Sequence, residues 1–224
     1  LKDKVIKQST AILIFANSAQ EEGKNKSFQK SVALFQKLNE RTITMVQKSG
    51  LPYFLITEKE QTGCNFGERY TKALQFVYDQ GYDNVISIGN DTPQLKMHHL
   101  VEAAKQLEQN KTVLGPSKDG GFYLLGLQKS QFKKAQFVAL PWQTKHVFES
   151  LKAILSVNHG ISYLTKLRDI NSLSDVKILL DGFKSIPVSV FKILIGLFNS
   201  EKRMLFKKQT FTPAFQPDVY FNKG

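Results

Sequence analysis

The sequence predicts an α/β domain built on a doubly wound, mainly parallel sheet, followed by an extra helical segment at the C-terminus. Three observations carry that expectation. Short continuous apolar runs recur along the chain, as strands covered on both faces require. Between them apolar residues return at helical spacing. Glycines or capping residues mark where several of these helices stop or start.

Ala11 to Ala16 (AILIFA) reads as the first strand. Phe28, Val32, Phe35, Leu38 and Val46 then recur at helical spacing, and Gly50 closes that helix. Tyr53 to Thr57 is the next strand, and Tyr70, Ala73, Leu74, Val77 and Tyr78 mark a helix ending near Gly81. Asn84 to Ile88 follows as the third strand. Thr92 is placed to cap a helix whose first residue is Pro93, where a missing N–H costs nothing; Leu100, Val101, Ala104 and Leu107 supply its buried face. Thr112 to Leu114 and Phe122 to Leu127 are two further strands. Thr144 is expected to cap a helix carrying Val147, Phe148, Leu151, Ile154 and Leu155, and Ile161 to Leu164 forms a last strand. Ser172 and Asp175 have capping-box spacing, with Asp in place of Glu, and open a short helix through Leu180.

From Ile186 the chain changes character: a very apolar helix (Val188, Phe191, Leu194, Ile195, Phe198), a basic stretch (Lys202, Arg203, Lys207, Lys208) and an aromatic tail. This divides the chain into a domain over 1–182 and an extension over 183–224. Packing of the extension on the domain or on a partner subunit, as in a homodimer, is the plainer reading. Peripheral contact with anionic lipid is the alternative.

At 224 residues the chain has room for one well-buried core. With 42% hydrophobic and 22% charged residues it is neither disordered nor a membrane bundle, and the stretch from Ile186 to Phe198 is shorter than the ~20 residues a bilayer requires. Cys64 is the only cysteine, so no internal disulfide forms and a cytoplasmic location is expected. The formal charge of +12 attracts anions. Its lysines are scattered from Lys2 to Lys223 instead of gathered on one element, so no specific nucleic-acid partner is expected.

Chemistry concentrates at two places. Asp91, in IGNDTP, follows directly on the third strand, at the carboxyl edge where such sheets bind ligands. A carboxylate there suits a divalent cation held through one oxygen while phosphates and water complete the shell; the alternative is a turn aspartate accepting N–H bonds before Pro93. In LGPSKDGGFYLLGL, Gly120 and Gly121 let the backbone approach a ligand and Asp119 can accept hydrogen bonds from hydroxyls, although DG and GG are also ordinary turn signals. His98 and His99, adjacent on a helix, point too far apart to share a metal and read as surface residues. His146, His159 and Cys64 suggest nothing sharper.

In order along the chain, IFA, QTGCNFGERY, GYDNVISIGNDTPQL, LGPSKDGGFYLLGL, LPW and LRDINSLSDV resemble the small GT-A-fold glycosyltransferases of the arsenosugar-type or selenodomain-associated kind, in the nucleotide-diphospho-sugar transferase superfamily. The likeness runs from about Ala11 to Leu180. It implies a GT-A, nucleotide-sugar-binding domain over 1–182 that transfers the sugar of a nucleotide-diphospho-sugar donor to a small-molecule acceptor with Mg²⁺ or Mn²⁺. It implies nucleotide contacts at Phe15, Ala16, Asn17 and Lys26, and a base-side pocket shaped by Gln61, Gly63, Gly67, Glu68 and Arg69. Asp91 matches the metal position, with Asp169 and Asn171 as a DxD-like element; Asp91 and Asp119 are the catalytic candidates. The resemblance also implies that Gly120, Gly121 and Trp142 face the sugar or acceptor.

Two positions depart from that pattern. Phe28 stands where Arg is usual, and Asn171 offers a neutral oxygen where a carboxylate is usual. The alternatives are a nucleotidyltransferase acting on a nucleoside triphosphate and a non-catalytic nucleotide binder. The first would want a Gly-rich basic loop after the first strand, where SAQEEGKNKSF has one Gly and two acids.

Overall fold

In the computed structural model, residues 9–26, 28, 30–156, 160–182 and 186–196 are described. β1 (Thr10–Phe15) is flanked by strands on both sides and helices on both faces, and Ala11 to Ile14 are almost wholly buried. It pairs in parallel with β2 (Tyr53–Ile56) and with β3 (Asn84–Ile88). β4 (Thr112–Pro116) turns back through residues 117–121 into β5 (Phe122–Gln128), which lies antiparallel between β3 and β4. β6 (Ile161–Tyr163) runs parallel beside β4. The order is therefore β2-β1-β3-β5-β4-β6, a mainly parallel sheet with one reversed strand, as the α/β reading requires.

The polar stretch after β1 is a short helix, α1 (Ala19–Asn25), capped where the Ser18 side chain accepts the Glu21 N–H. α2 (Ser31–Ser49) ends at Gly50, whose left-handed φ of 72° a side chain would resist. α3 (Phe66–Asp79) lies on the opposite face of the sheet from α2 and α4 (Met97–Glu108). α5 (Lys134–Val138) and α6 (Val147–Leu155) join α3, so that Leu13, Val85 and Leu125 are covered on one side and Ile12, Ile86 and Leu124 on the other. α7 (Leu173–Asp181) and α8, over 188–196, form a third cluster with α1 and α2 around Phe35, Leu38 and Val176.

In α8 the apolar face is used inside the chain: Val190 and Leu194 are buried in that cluster. Val188 remains exposed. The basic stretch from Lys202 and the aromatic tail lie outside the described residues, and so does the lipid contact expected there. Among the described residues no helix is long and apolar enough to cross a membrane.

Three helix readings are corrected. Thr92 and Pro93 do not open α4; the helix starts at Met97, because the His99 ring accepts the Lys96 N–H at 3.0 Å while the Thr92 hydroxyl is drawn off to Asp169. His99 is accordingly buried, not a surface residue, and Val101 is exposed where Ala103 packs inward. Thr144 does not cap α6, whose N-cap is His146; the Thr144 hydroxyl donates to the Pro141 carbonyl instead.

Candidate functional site

The carboxyl ends of β1 and β3, the 117–121 turn and the segment before α7 surround a cleft of about 1070 Å³. Strands that run parallel deliver their connecting loops to the same edge, which brings these distant segments together. The Asn90 amide donates to the Asn17 carbonyl at 3.2 Å and to Asn39 Oδ1 at 2.7 Å, fastening the loop after β3 to the loop after β1. Beside it, Asp91 reaches the cleft.

Asp91 is already paired. Lys26, at the end of α1, places Nζ 2.8 Å from Asp91 Oδ2 and 3.3 Å from Glu22 Oε2, one helical turn back. The ammonium also lies 4.7 Å from the centroid of the Phe35 ring. Burial alone would pull the lysine down, but Asp91 and then Glu22 outweigh it and hold it above its ordinary value. Glu22 is raised as well, but there burial wins, lifting its carboxyl more than Lys26 lowers it. The Asn17 amide donates to the second Glu22 oxygen at 3.1 Å, and α1 is itself pinned by Glu58, which accepts from both the Ser18 N–H and hydroxyl at 2.7 Å.

Two more aspartates join the same end of the cleft. The Ile170 N–H donates to the Asp91 carbonyl at 2.8 Å, which locks the chain before α7 against the loop after β3. Asp169 follows from that register, accepts from the Thr92 hydroxyl, and is pushed up to about 7 by burial first and by the nearby Asp91 charge second. Asp119 accepts from the Ser117 hydroxyl, from the Gly121 N–H at 3.1 Å and from the Asn171 amide at 3.1 Å. Carboxylate oxygens are hard donors, suited to a divalent cation that keeps water and phosphate ligands. Among the described residues no group of three or more His, Cys, Asp or Glu side chains is disposed to hold a metal ion unaided. The set fits an ion shared with a phosphorylated ligand and not one caged by protein alone.

The cleft is also lined by a group of packed aromatic rings. Phe15 packs on Tyr70 at 5.2 Å, Tyr70 on Trp142 at 5.0 Å and Trp142 on Phe66 at 5.3 Å. The Trp142 indole N–H donates to the Phe137 carbonyl at 2.6 Å, so the ring is held in one orientation.

Of the residues singled out in the sequence, Phe15, Ala16, Asn17, Lys26, Gln61, Arg69, Asp91, Asp119, Gly121, Trp142, Asp169 and Asn171 all line this cleft. Gly63, Gly67, Glu68 and Gly120 are not among its lining residues. At Gly67 a Cβ would come within 2.5 Å of the Trp142 ring, and at Gly120, with φ of 94°, within 2.4 Å of the Lys145 carbonyl. Glu68 accepts the Cys64 N–H at 3.1 Å at the start of α3. Glu22, Glu58, Phe66 and Tyr70 were not anticipated, although Glu22 and Lys26 carry a signal in their i, i+4 spacing.

A family described as an uncharacterized protein conserved in bacteria (DUF2064) matches residues 24–144, more than half of the chain. No curated protein matches. Among solved structures the chain is similar to a candidate nucleotide-diphospho-sugar transferase from Desulfovibrio desulfuricans G20, with 19% identity over 89% of this chain and 98% of that one, and a TM-score of 0.72. Fainter likenesses, both with a TM-score of 0.47, are to a cytidylyltransferase from Leptospira borgpetersenii serovar Hardjo-bovis (14% identity, 93% of this chain and 100% of that one) and to a 4-diphosphocytidyl-2C-methyl-D-erythritol synthase from Anaerococcus prevotii (9% identity, 79% and 96%). The first of these supports the α/β fold of nucleotide-diphospho-sugar transferases for this chain.

Proposed function

This chain belongs to the DUF2064 family of uncharacterized proteins conserved in bacteria, and we propose that its cleft binds a nucleotide-diphospho-sugar and passes the sugar to a small-molecule acceptor. This is the activity implied by its resemblance to the arsenosugar-type and selenodomain-associated transferases. One observation carries the reading: a lysine only 13% exposed and two neighbouring aspartates meet at the carboxyl edge of β1 and β3, in a cleft that aromatic rings also line. Such an edge takes phosphates, and aromatic faces take the flat or apolar side of a base or sugar.

Lys26 is placed to offset the charge that develops on a departing diphosphate, a contribution already oriented before the reaction starts. Asp119, held by Ser117 and the Gly121 N–H, keeps carboxylate oxygen available to align an acceptor hydroxyl. Gln61 and Arg69 border the base side next to the end of β1. Asp91 and Asp169, with the amide oxygen of Asn171, would hold Mg²⁺ or Mn²⁺, which would supply positive charge against that of a diphosphate. A nucleotidyltransferase reading is less well supported: α1 stands where three phosphates would need an open glycine-rich cradle, and its first turn carries Glu21 and Glu22.

A thermal-shift panel of nucleoside diphosphates and their sugars, run with Mn²⁺, tests the reading. At least one should stabilise the wild type, and Asp91→Ala should abolish that shift. Indifference to every nucleotide contradicts the proposal.

A further inference from the structure

The contacts of Lys26 go beyond those of a phosphate-binding lysine waiting for its ligand. Its side chain is 13% exposed, and its ammonium bridges Asp91 and Glu22, whose side chains are 28% and 7% exposed. Glu22 is fixed in turn by the Asn17 amide, and the Phe35 ring covers the ammonium from another side. Two carboxylates and an aromatic face around one positive charge make a built cation site. That site includes Asp91, the carboxylate on which a divalent ion would depend.

We propose that Lys26 is the resident cation of the diphosphate site and competes with a divalent ion for Asp91, so that a metal enters only together with the phosphates that take Lys26 over. The inference rests on the nucleotide-diphosphate reading above. Two cations within reach of one carboxylate repel each other. Asp91 already has its countercharge in Lys26, so a free ion gains little by displacing it. Once diphosphate oxygens occupy the cleft, the ammonium has acceptors to move to, and the Asp91 oxygen is released. Binding of metal and nucleotide then reinforce one another, and the coupling is reciprocal. Glu22 acts as a positioning residue: from one turn back on α1 it keeps the ammonium aimed at Asp91.

The test is a titration of the full chain with Mn²⁺ and no nucleotide, following free ion by electron paramagnetic resonance. Wild type is compared with Lys26→Met and with a double variant, Lys26→Met plus Glu22→Gln, which removes both charges and folds even if the single variant leaves too much unpaired negative charge. Each folded variant should bind Mn²⁺ at least about tenfold tighter than wild type. Equal affinity in wild type and variants overturns the proposal. In parallel, Mn²⁺ should raise the wild-type melting temperature only when a nucleoside diphosphate is present; an equal rise with Mn²⁺ alone also overturns it. A wild type that answers to no nucleotide instead refutes the transferase reading, and the Mn²⁺ titration, which contains no nucleotide, is read separately.

Discussion

Asp169 shows most plainly what the cleft does to a single side chain. Burial and the nearby Asp91 raise its carboxyl to about 7 from an ordinary 3.8. Between those values the folded chain holds a proton that the unfolded chain has lost, so this residue's contribution to stability falls as pH rises through the window. Asp169→Asn removes that dependence. In urea unfolding at pH 5 and pH 7.5, the variant should gain on wild type at the higher pH; a gain that is the same at both would contradict the assignment. Other residues of the cleft were legible because of where they sit: Asp91 directly follows a strand, and Asp119 stands beside paired glycines. Glu22 was hidden. Its stretch has too few apolar residues to show helical periodicity, and only the fold brings Lys26 across to Asp91, 65 residues away.

Helix α4 carries the clearest lesson about elements. Pro93 behind Thr92 is a sound local start signal, yet tertiary demand prevails: Thr92 serves Asp169, and the helix begins four residues after Pro93, capped by a histidine ring. That ring is held down to about 4, by burial first and then by His98. The folded histidine stays neutral while the unfolded one takes a proton near its ordinary 6.5, so stability is present above that value and is lost as pH falls toward 4. The loss should be on the order of 2 kcal/mol, and His99→Asn, which keeps an acceptor for the Lys96 N–H, should flatten it. Chemical denaturation between pH 7 and pH 5 measures both. The sign is opposite to that at Asp169, so the two variants separate the effects. Strands were easier to place than helix starts, because a continuous buried run such as that of β1 has no competing use, whereas a cap can be claimed by a partner far along the chain.

For the whole molecule, alternation of strands and helices was enough to announce the α/β class, and the reversal of β5 was not announced. An apolar run has the same pattern in either direction, and only the tight 117–121 turn obliges β5 to come back beside β4. The turn matters for the cleft: β4 runs in the same direction as β3, so the turn at its carboxyl end delivers Asp119 to the same edge as Asp91 and Asp169. The molecule thus gathers four chain segments, from the loops after β1 and β3, the β4–β5 turn and the approach to α7, around a lysine already bound to an aspartate. A crystal structure of the chain grown with Mn²⁺ and a nucleoside diphosphate tests this account most directly. The expected result is a diphosphate between Lys26 and Asp91, with the Lys26 ammonium moved off the carboxylate onto phosphate oxygen. A cleft without ligand, or a nucleotide bound elsewhere while Lys26 keeps its grip on Asp91, would contradict it.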